Sequence, residues 1–158
     1  MTSTTPLATL PSTRRPSRKR AFTPVPLWRR LAHLTLLGAG AGLVAASGAI
    51  HLDLWSRSYH LIPTIGPLFL LQAVVAFTLA IAVLASRRFL ALISAAGFLL
   101  ATIAGYLISV NFGLFGFQDT LNAPLGTASL AVEATGTLAL ALAAALIPRR
   151  DRWRLPRR

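Results

Sequence analysis

Four apolar runs, each about 20 residues long, divide the chain at residues 31–50, 67–84, 89–110 and 125–147, and polar residues gather between and beyond them. A helix needs about 20 apolar residues to cross a hydrocarbon core of about 30 Å. Each run therefore predicts one membrane-spanning helix. The expected fold is an all-α membrane protein, a four-helix transmembrane bundle (residues 28–148) between two disordered basic tails, residues 1–27 and 149–158.

Punctuation along the chain fits those runs. Gly66-Pro67 suits a helix start, because proline in the first turn gives up only a backbone donor that has no partner there. Ser86-Arg87-Arg88 reads as a tight turn between the second and third spans, and Pro148 ends the fourth. In the first span Gly38, Gly42 and Ala46 recur at four-residue spacing, with Ala41, Ala45 and Ala49 one step round. Gly97, Ala101 and Gly105 do the same in the third. Small residues so spaced let another helix approach closely in lipid, so both ridges are expected to be packing faces. The first 27 residues carry prolines at 6, 11, 16, 24 and 26 with Ser, Thr and Arg. Such a segment buries too little apolar surface to fold.

A signal-peptide reading competes for the first span, with Ser47-Gly48-Ala49 as its cleavage site. The apolar run is long enough to span, and the basic stretch ahead of it is long for a secretory signal. An uncleaved span is the expectation.

Composition sharpens the topology. A length of 158 residues leaves room for one domain. There is no cysteine, which excludes disulfides and thiolate chemistry. Sixteen bases face four acids, a net charge of +12, which in a soluble protein would suggest nucleic acid. Here the bases flank apolar runs and no aromatic platform is interleaved with them. They are read instead as attraction to anionic lipid headgroups, about 1 kcal/mol per base near the surface, and no nucleic-acid partner is expected. Every base except Arg57 lies before the first span, between spans two and three, or after the fourth. The positive-inside rule then places both termini in the cytoplasm, in a plasma-membrane protein. Trp28, Trp55, Tyr59, Tyr106 and Trp153 fall near span ends, where amphipathic rings anchor.

Polar residues near the spans concentrate on the outward side. His51 and Asp53 end the first span, and Arg57, Tyr59 and His60 follow in the connection. Gln72 enters the second span, while Tyr106 and Asn111 close the third. Glu133 sits in the fourth, about 13 Å past Pro124 at about 1.5 Å per residue. An acid at that depth costs about 2.5–3.5 kcal/mol on insertion scales and should face the bundle interior with a partner. Glu133, with Gln72 and Tyr106, is therefore a candidate ligand-binding or proton-relay group. The competing reading is a protonated or hydrogen-bonded glutamate that ties helices together, partnered by Gln72, Tyr106 or His51. His51, His60 and Asp53 could offer two imidazoles and a carboxylate to a divalent metal, the pattern of an open zinc site. Residues two apart on a helix point about 200° from each other, so that site requires the helix to have ended by Asp53. No serine triad, phosphate loop or zinc-protease helix is present, and no enzyme activity is expected.

The stretches GAIHLDLWSRSYHLIPTIGPLFLLQAV (residues 48–74) and GLFGFQDT (residues 113–120) resemble a group of small four-helix membrane proteins of actinobacterial type. The resemblance rests on H-x-[HD]-L-W, a following Tyr and IPTIGPLFLLQ, and it covers the spans but not the tails. It implies the four-helix fold and brings no catalytic residues with it. Where such sequences carry a second histidine this chain has Asp53, which would weaken a metal site made by the pair. The expected function is non-enzymatic binding or packing through an outward-facing polar vestibule that ends at Glu133. Its partner would be another membrane subunit, a lipid or a second copy. The alternative is a small transporter or metal-handling protein using His51, Asp53, His60 and Glu133.

Overall fold

The computed structural model describes residues 26–123 and 125–148. Apart from Pro26 and Leu27, the two expected tails lie outside the described residues. Four helices, α1 (Leu27–Arg57), α2 (Ile65–Ser86), α3 (Phe89–Phe112) and α4 (Gly126–Leu146), make up nearly all of the rest. Each is long and apolar enough to cross a membrane. In lipid every backbone donor and acceptor must be satisfied within the segment, and a continuous helix does that.

Helix α1 has 31 residues, about 46 Å at 1.5 Å per residue. It runs beyond the expected end near Ile50 to Arg57. Nothing in HLDLWSR breaks a helix, and the last turn carries an ion pair between Arg57 Nε and Asp53 Oδ2 at 2.8 Å. A 3-10 turn, Tyr59–Leu61, then folds the chain back towards α2. Gly66, in the first turn of α2, lies against that turn. A Cβ there would come within 2.9 Å of backbone atoms of both Tyr59 and His60, so the return path requires glycine. Between α2 and α3 stand only Arg87 and Arg88. Arg87 takes the left-handed conformation and its N–H caps α2 on the Val83 carbonyl. The α3–α4 connection opens with a tight turn, Leu114 to Phe117, whose central residues Phe115 and Gly116 both have positive φ. That is the conformation a two-residue hairpin turn demands.

The helices pack in the order α2, α1, α4, α3 around the bundle. Contact between α2 and α3 is sparse despite their short link. The core lies towards the end that holds Arg29, Arg30, Arg87 and Arg88, the basic end. There Val44, Val83, Leu92, Leu99 and Leu140 are wholly buried among alanines. His33 adds a polar tie, with Nδ1 3.1 Å from the Ala143 carbonyl of α4.

The expected packing face of α1 holds only in part: Ala41 is buried and Ala45 packs against the core, but the Gly38–Gly42 row faces outward. A Cβ on Gly38 or Gly42 would meet open space, whereas one on Gly40 would strike Leu140 and one on Gly48 would strike Ala76. The contact row is Gly40, Val44 and Gly48, displaced by two positions and therefore about 200° round the helix. Four-residue spacing was the right signal, but requiring a small residue at every step passed over the row that runs through Val44. On α3, Gly97 and Gly105 likewise touch nothing that a Cβ would meet. Ala101 and Gly105 border a cavity instead.

Candidate functional site

At the end opposite the arginine turn, the loop end, the helices stand apart around a cavity of about 400 Å³. The deepest residue that each helix contributes is His51 from α1, Val75 from α2, Phe98 from α3 and Glu133 from α4. These four form its floor. Beneath them begins the packed core, with Ala76, Val44 and Leu99 next in line. The cavity exists because α3 presents Ala101 and Gly105 towards a helix it hardly touches.

Glu133 is almost wholly buried, with 2% of its surface exposed. Its Oε1 accepts two hydrogen bonds, from Ser47 Oγ of α1 at 2.9 Å and from Ser129 Oγ one turn away at 3.0 Å. Among the described residues Oε2 has no such partner, and the residue lines the cavity. The carboxyl therefore ties α1 to α4 with one oxygen and leaves the other free. Neither serine was singled out in the sequence. The usable signal was spacing: Ser129 lies four residues before Glu133 and Ser47 four before His51, hence on the same helix faces.

His51 is buried, and its Nδ1 donates to the Ser47 carbonyl at 2.8 Å. Nε2 is left as the ring nitrogen without a hydrogen-bond partner among the described residues. The ring packs against Phe69 at 5.1 Å. Gln72 lines the cavity and makes no hydrogen bond among the described residues. Tyr106 also lines it, but its hydroxyl donates to the Thr120 carbonyl at 3.0 Å and lies over Gly126. It serves as a strut between α3 and the loop. None of the three partners expected for Glu133 bonds to it. Ser109 contributes a further polar group: it is 7% exposed, lines the cavity, and its Oγ is buried without a hydrogen bond.

A cluster of aromatic rings stands at the loop end and forms a partial roof. Tyr59 stacks on Phe69 at 4.7 Å, and Phe117 from the α3–α4 connection meets Tyr59 edge-on at 5.8 Å. Burial, and then the neighbouring Asp119 carboxylate, push the Tyr59 phenol up from its ordinary range. On the side, Leu71 of α2 and Ala101 of α3 line the cavity and are also exposed on the bundle surface. The cavity thus reaches that surface between α2 and α3.

The structure does not bring the three candidate metal ligands together. His51 is turned inward, Asp53 pairs with Arg57, and His60 Nδ1 donates to the Trp55 carbonyl at 2.8 Å. Among the described residues no group of three His, Cys, Asp or Glu could hold a metal ion. The reason is the unbroken helix through Arg57, which sends His51 and Asp53 to different faces. No protein-family model, curated protein or solved structure matches the chain.

Proposed function

We propose that this chain is a multi-pass protein of the cytoplasmic membrane that binds a small molecule in the cavity above Glu133 and does no chemistry on it. The observation that carries this reading is the cavity itself, within the range of about 300–1,000 Å³ that small-molecule sites occupy. Its walls are mostly apolar, and its deepest polar side chains, His51 and Glu133, lie together at the floor. Ser47 and Ser129 both donate to Glu133, which makes them props for the carboxyl. The packed core beneath closes the basic end, which favours holding a ligand over passing it through.

The charge pattern orients the proposal. Fifteen of the sixteen bases fall on the side of the termini and the arginine turn, so that side is cytoplasmic and the cavity faces outward. The bases would rest on anionic headgroups. The outward-turned Gly38–Gly42 face is open to a second copy or another membrane subunit. Both stretches that resemble the actinobacterial four-helix group supply cavity residues, Tyr59 and Gln72 from one and Phe117 and Asp119 from the other. That convergence supports reading the cavity as the working part of the chain.

Two measurements test this. The protein extracted from its native membrane into lipid discs should carry a small molecule, identified by mass spectrometry, that a Gly105→Leu variant lacks. An identical small-molecule content in both would overturn the binding reading. Because the chain has no cysteine, Ser58→Cys and Ser86→Cys can each be tagged in intact cells by an impermeant maleimide. Labelling of the first and not the second is expected; the reverse would overturn the orientation.

A further inference from the structure

We propose that the cavity takes a lipophilic cation, an amine or quaternary ammonium on an apolar body, which enters sideways between α2 and α3 and sets its charged head against Glu133. This rests on the reading of the cavity as a binding site and names the class of ligand.

Charge comes first. The lining includes two carboxyl groups, Glu133 at the floor and Asp119 near the roof, and among the described residues neither a lysine nor an arginine. An anionic head would meet acids with nothing to balance it. A cation meets Glu133 Oε2, the oxygen that Ser47 and Ser129 leave free. In a water-poor cavity an unbalanced charge is costly, and a charge facing its opposite is strongly favoured. His51 adds to the bias: with Nδ1 committed to a carbonyl, its neutral ring offers Nε2 as an acceptor.

Ser109 adds an unpaired polar group to the cavity wall. A hydroxyl nine-tenths buried and without a hydrogen bond is uncommon, because leaving it unpaired costs free energy. This one borders the cavity on α3 near the loop end, nearer the opening than Glu133. The aromatic rings of Phe69, Phe98 and Phe117 complete the lining, and ring faces attract cations as well as apolar chains.

The way in selects for lipophilicity. Leu71 and Ala101 form the lip between α2 and α3, and both are exposed on the flank of the bundle that hydrocarbon covers. The rings of Tyr59, Phe69 and Phe117 flank the direct route from water. A ligand that partitions into the bilayer reaches the lip, and its apolar part remains between Leu71 and Phe98 when the head has reached Glu133.

The test is equilibrium dialysis of the full chain in phosphatidylcholine discs, with empty discs subtracted. The probes are octyltrimethylammonium, octyl sulfate and 1-octanol, which share a chain and differ in head charge. Saturable retention of the cation alone is expected, weakened at least about tenfold by Glu133→Gln and lost in Gly105→Leu. The amide of Gln still accepts from both serines, and the Gly105 site has open space for a side chain. If Glu133→Gln fails to fold, Gly105→Leu and the three heads still decide the matter. Equal retention of octanol and the cation, unmoved by Glu133→Gln, would overturn the cation assignment and leave the binding site standing. Retention of octyl sulfate, or of none of the three, would also overturn it. The small-molecule comparison above then judges the cavity separately.

Discussion

At the basic end Val83, Leu92 and Leu140 meet with no exposed surface, whereas at the loop end Gln72, Gly105 and Glu133 stand around open space. The helices are the same in both regions, since α2 and α3 run the full length of each. What changes is the side chain facing the neighbour and the polar group behind it. Lipid tails are as apolar as leucine, so no hydrophobic force drives a gap between membrane helices to close. A gap persists where the walls are propped. Here the props are the Ser47–Glu133–Ser129 hydrogen bonds, the Tyr106 strut and the Tyr59–Phe69 stack. The packed region therefore explains why the bundle holds, and the propped region explains what it could hold.

The hardest way to break that contrast is to add volume on each side. Gly48→Leu drives a side chain into Ala76 and the Ala73 carbonyl and is expected to cost about 3 kcal/mol. Gly105→Leu grows into open space and should stay within about 1 kcal/mol. Thermal unfolding in detergent, followed by circular dichroism, compares them; equal losses would mean that the cavity is not empty of protein. Next in size, Glu133→Ala strips the acceptor from the fully buried Ser47 hydroxyl and should cost about 2 kcal/mol. Glu133→Gln should cost less than half of that. A double-mutant cycle with Ser47→Ala isolates the bond, and strict additivity would show that it is not made.

The roof titrates in one direction. Burial and Asp119 raise the Tyr59 phenol in the folded state above its unfolded value of about 10. The folded protein keeps a proton that the unfolded chain has lost, so this contribution is intact below about pH 10 and declines as pH rises through the folded value. Alkaline melts of the native protein should fall faster with pH than those of Tyr59→Phe, and parallel curves would contradict the shift. The smallest effect is at the surface. Arg57→Ala removes an exposed ion pair and should change stability by less than about 0.5 kcal/mol. A larger loss would mean that the end of α1 is part of the roof.

The four helices were legible because bilayer thickness imposes a length that any apolar run of that size satisfies. Glu133 was legible because an acid in such a run must be accommodated. Of its actual partners, Ser129 was within reach from its four-residue spacing, while Ser47 was not, since a serine on another helix carries no signal until rotation about the axis is known. The same ignorance of rotation misplaced the glycine row of α1 by two residues, although Ala41 and Ala45 do pack. The His51, Asp53 and His60 grouping failed differently. It needed the helix to stop, and HLDLWSR contains no residue that stops one. The cavity was least visible of all, because it arises from Ala101 and Gly105 failing to touch α2, and a missing contact leaves no mark in a pattern of apolar residues.

The unequal lengths of the helices carry a consequence for the surrounding bilayer. Helices α2, α3 and α4, with 22, 24 and 21 residues, match a hydrocarbon core of about 30 Å with a small tilt. The 31 residues of α1 do not. Three helices therefore set the membrane thickness that suits the protein, and α1 carries its surplus beyond it at both ends, Leu27 to Arg30 and Asp53 to Arg57. A thicker bilayer would draw the polar turns of α1 inward as well as stretching the other three helices, while a thinner one would meet only the mismatch of those three. The mismatch is one-sided, and the protein should be held more readily in thin membranes than in thick ones.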